Sequence, residues 1–187
     1  MCPLLLASSS PQRRAILEQL GIAFEVLPVD VHEIAAGDPV EVARANALAK
    51  ARAGAAARPE QDVLGVDTIV VCDGEILGKP PSARVAETML GQLSGRTHEV
   101  ISGLALIRDG NPQVVHEVTK VTFRSLGEDV VRRYVQTGEW SGRAGGYAIQ
   151  AQGAALVRSI HSDYLNVVGL PVGALLDLDS RLMLRPD

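Results

Sequence analysis

The amino-acid sequence predicts an α/β fold in which helices flank a mixed sheet. Strand-like apolar runs alternate along the chain with segments of helical periodicity. Two Asp-Gly pairs, Asp73-Gly74 and Asp109-Gly110, lie between strand-like segments, and this dipeptide is typical of tight antiparallel hairpins. Because hairpins occur together with strand–helix alternation, we expect both parallel and antiparallel strand pairs.

Length and composition favour a single domain. The chain has 187 residues, of which 47% are apolar and 21% are charged, and this is enough apolar material for one sizeable core. No internal repeat, low-complexity tract or linker rich in Pro, Gly or Ser divides the sequence. We therefore expect one domain over residues 1–187.

The first 60 residues are expected to form two strands and two helices. The predicted elements are a strand over 3–7, a helix over about 11–20 that ends at Gly21, a strand over 24–29, and an Ala-rich helix from 39 toward Gly54 or Pro59. Ser10 is a preferred N-cap residue, and Pro11 suits the first helical position. Asp38 and Glu41 have the spacing of a capping box.

The rest of the chain continues this alternation. The predicted elements are a strand over 63–72 that returns over 75–79, a helix from Ser82 to Leu93, a hairpin of 98–107 with 114–123, a helix over 128–136, a Gly-rich loop over 142–146, a strand around 154–160 and a helix from Pro171. The run 63–72, VLGVDTIVVC, is the strongest strand signal because it is rich in Val and Ile.

The charge distribution argues against a polynucleotide partner. The formal net charge is −4, and the sequence shows no basic stripe of the kind that polynucleotide-binding proteins carry. A small anionic ligand is compatible with this charge, since a few placed cations can bind it within an acidic protein.

Three features favour a cytoplasmic protein without a membrane anchor. The apolar run near the N-terminus is short, and positive charges follow it instead of preceding it, unlike a signal peptide. No run reaches the roughly 20 apolar residues of a membrane span. Cys2 and Cys72 form neither a disulfide framework nor a metal-ligand pattern, so we expect two free thiols in a reducing compartment.

The segment SSSPQRR, from Ser8 to Arg14, is a candidate anion site because it joins a strand to a helix N-terminus. Unpaired N–H groups and the positive end of the helix dipole favour a phosphate there, and serine hydroxyls and arginine add donors. A capped helix with two solvated arginines is an equally good interpretation. Arg14 fits that interpretation because Glu18 can pair with it at i+4, whereas Arg13 has no such partner.

Asp67 is the strongest candidate for chemistry, because it lies inside the most apolar strand of the sequence. Burying a carboxylate is costly unless it is paired, bound to a metal or protonated. Central strands also contain few aspartates. The alternative is a structural carboxylate that binds the backbone or Thr68. We favour a functional role because intrinsic preference and burial both disfavour Asp at this position.

Lys79 is predicted to approach Asp67 through the first hairpin. A two-residue turn at Asp73-Gly74 places Lys79 opposite Thr68, next to Asp67. A regular ladder then gives Lys79 the face of Thr68 and not that of Asp67. Either a bulge or a strand end redirects one side chain, or the two act from different sides. A solvated edge lysine is the alternative.

Other polar residues carry weaker signals. Glu33 lies in a polar loop and Lys50 on the Ala-rich helix, and composition alone favours solvated roles for both. Gln150 follows the Gly-rich segment GRAGGYAIQ, where its amide can read a base edge, although a surface amide is the default. His98 and His161 have no neighbouring ligands in the sequence that indicate a metal cluster.

Several segments together resemble the Maf family. LASSSPQRR is similar to the opening motif of that family and GVDTIVVCDGEILGKP to its central hairpin, while LSGRTHEVISG, AGGYAIQ and NVVGLP resemble later blocks in the same order. The resemblance extends from Leu5 to about Leu176. The ordered set of blocks makes it specific, although each block alone is weak evidence.

The resemblance implies a fold similar to inosine triphosphate pyrophosphatases, with a mixed sheet and flanking helices around a nucleotide cleft. It implies an enzyme that uses Mg²⁺ or Mn²⁺ to convert a nucleoside triphosphate into the monophosphate and pyrophosphate. The site residues that it implies are Asp67 as proton acceptor with Lys79 in catalysis, Ser8, Gln12, Arg13, Glu33, Lys50, Thr68 and Gln150 in substrate binding, and Asp67 with Glu33 as metal ligands.

The GYAIQ and NVVGLP blocks resemble the dTTP/UTP branch of the family. Three positions depart from the family pattern: Gln12 replaces a frequent Arg, Arg143 a usual Lys, and Asp163 a common Gly. The alternatives are a nucleotide-binding regulator of cell division and an enzyme for purine or methylated GTP substrates. The oligomeric state is left open, a homodimer included.

Overall fold

The chain forms one seven-stranded mixed sheet with helices on both faces, in a computed structural model that describes residues 3–182. The strands are β1 (Leu4–Leu6), β2 (Phe24–Val26), β3 (Val63–Cys72), β4 (Glu75–Leu77), β5 (Thr97–Arg108), β6 (Asn111–Phe123) and β7 (Val157–His161). The helices are α1 (Pro11–Gln19), α2 (Pro39–Ala57), α3 (Ala83–Leu93), α4 (Glu128–Gln136), α5 (Tyr164–Val168) and α6 (Val172–Leu178). The predicted α/β class is confirmed.

The sheet has the strand order β2-β1-β3-β5-β6-β7, and β4 pairs with β3 outside this path. β1 is parallel to both β2 and β3, whereas every other pair is antiparallel. Both predicted hairpins are present. Asp73 and Asp109 have φ values of 50° and 49°, and the following glycines are also positive, as a primed two-residue turn requires.

One edge of β3 is left open in the middle of the sheet. β1 pairs with β3 only as far as Leu6 opposite Leu64, and β4 begins to pair with β3 on the same side at Val70. Between these points no strand of the described chain covers this edge of β3. Asp67 lies in this gap, so a residue of a central strand borders open space.

Helix α2 lies unusually close to the sheet. A side chain at Gly65 or Gly103 would have its Cβ only 2.2 Å from a backbone oxygen of α2, that of Ala47 or Ala43 respectively. The glycines on the strands and the alanines on the helix therefore permit direct backbone contact. This contact fixes the polar residues of α2 directly above Asp67, which is paired with Gly103 across the ladder.

The two faces of the sheet carry separate cores. On the α2 face, Leu5 and Val63 pack against Ala47 and Ala51. On the opposite face, the cores are formed by α1 and α6 near β1, and by α3, α4 and the aromatic residue Phe123 farther along the sheet. Among the described residues, no helix combines the length and apolar character needed to span a membrane.

Several element boundaries differ from the predictions. β1, β2 and β4 are shorter than predicted, and the second hairpin is longer. The strand around 154–160 is wrong in its first part, because residues Gln152–Leu156 form a 3-10 turn before β7. Helix α5 was not predicted; at five residues it is too short to show helical periodicity. Cys72 is a buried free thiol, whereas Cys2 lies outside the described residues.

Asp38 and Ser10 both occupy the predicted N-cap positions, but only Asp38 forms a side-chain cap bond. The side chain of Asp38 accepts a hydrogen bond from the Glu41 backbone N–H at 3.1 Å, as predicted. Ser10 occupies the N-cap position of α1, but its hydroxyl makes no cap hydrogen bond and donates to Gln12 Oε1 at 3.2 Å. The first turn of α1 is therefore left without a side-chain cap.

Candidate active site

A cleft of about 540 Å³ opens beside the uncovered edge of β3. Its volume lies within the range of ordinary small-molecule sites. The structure brings all nine sequence-predicted site residues to this cleft: Ser8, Gln12, Arg13, Glu33, Lys50, Asp67, Thr68, Lys79 and Gln150. They come from six separate segments of the chain, so only folding brings them together.

Asp67 faces α2 and is held by two residues of that helix. Its Oδ1 lies 2.6 Å from Lys50 Nζ, and its Oδ2 accepts a hydrogen bond from Asn46 Nδ2 at 3.0 Å. Lys50 Nζ also lies 2.7 Å from Glu33 Oε1. The buried carboxylate is therefore paired. The expectation of a solvated side chain is wrong for Lys50, whereas Glu33 is exposed, as expected, but pairs with Lys50.

Thr68 faces the opposite side of the sheet, because successive strand residues alternate between faces. Its Oγ1 accepts a hydrogen bond from Arg13 Nη2 at 3.2 Å and lies 2.8 Å from Ser102 Oγ. Arg13 also donates to the Gly169 carbonyl at 2.9 Å and to Ser8 Oγ at 2.8 Å. The cleft thus has a carboxylate–ammonium side and a guanidinium–hydroxyl side.

Arg13 is a buried cation, and its hydrogen bonds to Ser8, Thr68 and the Gly169 carbonyl fix the orientation of its guanidinium group. Burial lowers the pKa of Arg13, while the negative charges of Asp67 and Glu33 oppose that effect. The guanidinium stays protonated, as arginine does in proteins. Arg14 instead forms the predicted ion pair with Glu18, at 2.7 Å on the exposed face of α1. Arg14 therefore follows the solvated interpretation, whereas Arg13 does not.

Ser8 is oriented as a hydrogen-bond donor toward the cleft. Its Oγ accepts a hydrogen bond from Arg13 Nη1 and another, at 3.2 Å, from the Ser10 backbone N–H. A hydroxyl has two acceptor sites and one proton. Since both acceptor sites are occupied, the proton of Ser8 is the part left to bind another group. An anionic oxygen in the cleft is the natural acceptor.

The N-terminus of α1 lies at the same place. Neither a side-chain cap nor a described backbone carbonyl accepts the N–H groups of Gln12 and Arg13. Free N–H groups and the positive end of the helix dipole favour an anion there. Because the nine-residue helix begins within the cleft, the anion-site interpretation of this turn is the better one.

Lys79 reaches the cleft from the far side of the gap. The ladder between β3 and β4 stops at Leu77, so Lys79 lies two residues beyond the strand end. The end of the strand therefore frees Lys79 from the regular alternation of the ladder, which is one of the alternatives expected from the sequence. Lys79 is exposed and forms no ion pair with any described residue, so its charge is available to a ligand.

Gln150 also lines the cleft. The Gly-rich loop before it is tied to the Lys79 segment by a hydrogen bond from the Gly145 N–H to the Gly78 carbonyl at 3.1 Å. Gln150 is exposed, and its amide has no hydrogen-bond partner in the described part of the chain. The amide is therefore free to bind a ligand, as the base-reading interpretation requires.

Three residues that sequence reasoning missed are central to this geometry. Asn46 holds Asp67, Ser102 holds Thr68, and the Gly169 carbonyl holds Arg13. Only Asn46 carried a sequence signal, because it lies four residues before Lys50 and therefore on the same helical face. The other two contacts join residues that are distant in sequence.

The acidic residues of the cleft fit a loosely held divalent cation. Glu33 Oε1 and Asp67 Oδ1 both contact the same ammonium group, so the two carboxylates converge on one cationic position. No group of three or more His, Cys, Asp or Glu side chains is arranged to hold a metal among the described residues. Two carboxylates with coordination completed by phosphate and water suit Mg²⁺.

Comparison with known proteins shows the family to which the chain belongs. The sequence model of the family described as Maf-like protein matches residues 3–181. The chain belongs to the Maf family. It is 51% identical to the dTTP/UTP pyrophosphatase of Symbiobacterium thermophilum, with 92% of this chain and 90% of that protein covered. The proteins of the same name from Moorella thermoacetica and Pyrococcus furiosus are 49% and 44% identical, over 92% and 95% of this chain and 91% and 94% of theirs.

Proposed function

We propose that this Maf protein hydrolyses dTTP and UTP to the nucleoside monophosphate and pyrophosphate. The observation that carries the proposal is the buried Asp67 at the open edge of β3. One side of the cleft there offers free hydrogen-bond donors to a phosphate, and Lys50 lies on the other side. The names of the related proteins support the substrate choice.

The guanidinium–hydroxyl side of the cleft is suited to the triphosphate. The Ser8 hydroxyl, the free N–H groups of α1 and the Arg13 charge all lie there. Lys79 adds an unpaired cation from across the gap. These fixed donors would offset the charge that repels an attacking water and that grows on the leaving pyrophosphate, which is where electrostatic catalysis is most effective.

Asp67 would orient a water molecule and take its proton. The water oxygen forms a bond to the α-phosphorus while the bond from that phosphorus to the α–β bridging oxygen breaks, so pyrophosphate leaves with the bridging oxygen. Lys50 and Asn46 fix the carboxylate, so Asp67 does not have to reorganise during the step. This arrangement assigns the base to Asp67 and charge compensation to Lys79.

Glu33 and Asp67 would hold the divalent cation. When bound, such an ion would offset negative charge on the phosphates and help to orient them. Lys50 contacts both carboxylates, so its ammonium would have to move or share this position when the cation binds. The protein's own contribution is to supply two converging carboxylates, one from the loop before α2 and one from strand β3.

A screen for pyrophosphate release tests the function. The purified protein is incubated with dTTP, UTP, CTP, ATP, GTP and methylated GTP, with Mg²⁺ or Mn²⁺ and with excess EDTA. We expect monophosphate and pyrophosphate from dTTP and UTP, and none in EDTA. Release of orthophosphate would refute the reaction type, and activity on methylated GTP alone would refute the branch.

Labelled water sharpens this test. In H₂¹⁸O, attack on the α-phosphorus places the label in the monophosphate, whereas attack on the β-phosphorus places it in pyrophosphate. Full activity in EDTA would remove the metal from the proposal. Binding of UTP without turnover would favour the regulator alternative. A cytoplasmic location and a homodimer remain sequence-based proposals that fractionation and sedimentation can test.

A further inference from the structure

Gln150 lies where the chain emerges from the core into the cleft. The three preceding residues, Tyr147 to Ile149, are each at most 6% exposed, whereas Gln150 is exposed. Tyr147 and Ala148 also border the cleft that Gln150 lines. We call residues 147–153 the Gln150 loop. Because Gln150 follows a buried segment, the contacts that hold the backbone of this segment determine where the Gln150 side-chain amide lies.

Two buried hydrogen bonds hold the loop before Gln150. Tyr147 Oη lies 2.8 Å from His98 Nε2, and Tyr134 Oη accepts the Ala148 N–H at 2.9 Å. The Tyr147 ring also packs edge-on against His98 and Phe123, with ring centroids 5.5 and 4.9 Å apart. Strand β5, through His98, and helix α4, through Tyr134, therefore both hold this part of the loop in place.

One carboxylate holds the loop after Gln150. Glu139 Oε1 accepts the Gln152 N–H at 3.2 Å, and Glu139 Oε2 accepts the Gly153 N–H at 3.3 Å. The two ends of the loop also touch, because a Cβ at Gly153 would lie 2.5 Å from the Ala148 carbonyl oxygen. The loop is thus closed on itself and fixed at both ends.

We propose that His98, Tyr134 and Glu139 are positioning residues that fix the Gln150 amide and thereby set the nucleobase selectivity of the cleft. This inference rests on the proposed function. Hydrogen bonds discriminate between bases more strongly when the donor and acceptor are held in place before the ligand binds. None of the three residues lines the cleft, so each would act through the loop and not on the substrate.

The environment of His98 fits this role. His98 is 1% exposed, and Tyr147 is its only polar contact in the described chain, since Nδ1 has no partner. Burial lowers the pKa of His98 to about 4, so the ring is neutral near pH 7 and the contact with Tyr147 does not change charge.

Selectivity measurements on loop variants test the inference. The variants are Tyr147→Phe, which removes the bond to His98 and keeps the ring, and Glu139→Gln and Glu139→Ala, which remove one or both carboxylate contacts. Gln150→Ala is the reference. Glu117→Gln and Tyr164→Phe are matched controls, because neither residue lines the cleft. Glu117, on β6, accepts a hydrogen bond from Ser162, and Tyr164 is 44% exposed. For each, kcat and KM are measured for UTP, dTTP, CTP and GTP, together with the melting temperature.

We expect Gln150→Ala to reduce the ratio of kcat/KM for UTP over CTP by about tenfold or more. Tyr147→Phe and Glu139→Gln should reduce it in the same direction by at least about threefold, through KM and not kcat. The reduction of this ratio should be larger in Glu139→Ala than in Glu139→Gln. Combining Glu139→Ala with Gln150→Ala should add little, because both remove the same discrimination. The two controls should keep the wild-type ratio.

The outcomes separate this inference from the proposed function. A wild-type protein that releases no pyrophosphate, or that does not distinguish UTP from other triphosphates, overturns the proposed function. If the wild type is selective, the inference is overturned when Gln150→Ala keeps that selectivity. It is also overturned when Gln150→Ala loses selectivity but the loop variants, at unchanged folded fraction, retain it. Loss through kcat alone, equal for all substrates, would show a merely structural role.

Discussion

Two buried aspartates with basic partners lie in different surroundings in this molecule. Asp67 is 6% exposed and binds Lys50 and Asn46 beside the cleft. Asp179 is 4% exposed and binds Arg108 and, at 2.9 Å, Arg181, at the end of the sheet where β5 finishes. They are the only carboxylate residues classed as buried in the part of the chain that the structure describes.

The difference between the two sites is what surrounds the pair. Arg108 also binds Asp62 at 2.8 Å, just before β3, so the Asp179 cluster ties the segment after α6 to the sheet. No residue of that cluster lines the cleft. At Asp67 the sheet edge is open, and the cleft beside it is also lined by Ser8, Arg13 and Lys79, which can bind phosphate. A buried, paired aspartate alone therefore does not indicate catalysis; access to a cleft with complementary groups does.

The largest expected effect is the loss of turnover in Asp67→Asn. The amide keeps the shape and can still bind Asn46, and Lys50 keeps Glu33 as its partner, so the fold should change little. Removing a general base should lower kcat by roughly a hundredfold or more. Melting temperature and kcat measured on one preparation decide the result. A destabilised but active variant would contradict the catalytic assignment.

Asp179→Asn should show the reverse pattern. Replacing this carboxylate removes the buried negative charge that Arg108 and Arg181 both contact, which should lower the free energy of unfolding by about 2 kcal/mol. Turnover per folded molecule should not change. Urea unfolding monitored by circular dichroism, together with activity below the transition, measures both. A large loss of kcat with normal stability would remove the distinction between the two aspartates.

Arg13→Ala and Arg14→Ala extend the comparison to neighbouring cations. Arg13 holds Ser8 and Thr68 in the cleft, so its loss should raise KM for UTP by about tenfold. Arg14 forms only an exposed helical ion pair with Glu18, typically worth about 0.5 kcal/mol or less, and should leave KM unchanged. Steady-state kinetics of both variants at one temperature are needed. Equal kinetic damage would show that the proximity of Arg13 to the cleft does not matter.

The smallest effect is the acid dependence of the Asp179 cluster. Burial alone would raise the pKa of Asp179, but hydrogen bonds from Arg181 and Arg108 bring it below the ordinary value of 3.8. A lowered folded-state pKa gives stability that is present above pH 3.8 and is lost as pH falls through the folded value. The stability difference between wild type and Asp179→Asn should therefore shrink below about pH 4. A difference that stays constant down to pH 2 would contradict this sign.

Sequence patterns located Asp67 but not its partners. A carboxylate in an apolar strand is visible because burial makes it improbable, and Arg13 was separated from Arg14 by the i+4 spacing to Glu18. Asp179 carries no comparable sequence signal, because it follows a short helix in which Asp177 already interrupts the leucines. Its burial depends on Arg108, 71 residues away in sequence.

The sequence by itself determined the α/β class, the two Asp-Gly hairpins, the long Ala-rich helix and the strand that carries Asp67. These features depend on neighbouring residues, whose spacing and backbone preference the sequence displays directly. Only the tertiary structure decided that Lys50 and Glu33 meet Asp67, that β1 ends before β4 begins, and that the Gln150 loop is fixed at both ends. Those contacts depend on strand order and on the close approach of α2 to Gly65 and Gly103, which no local pattern specifies.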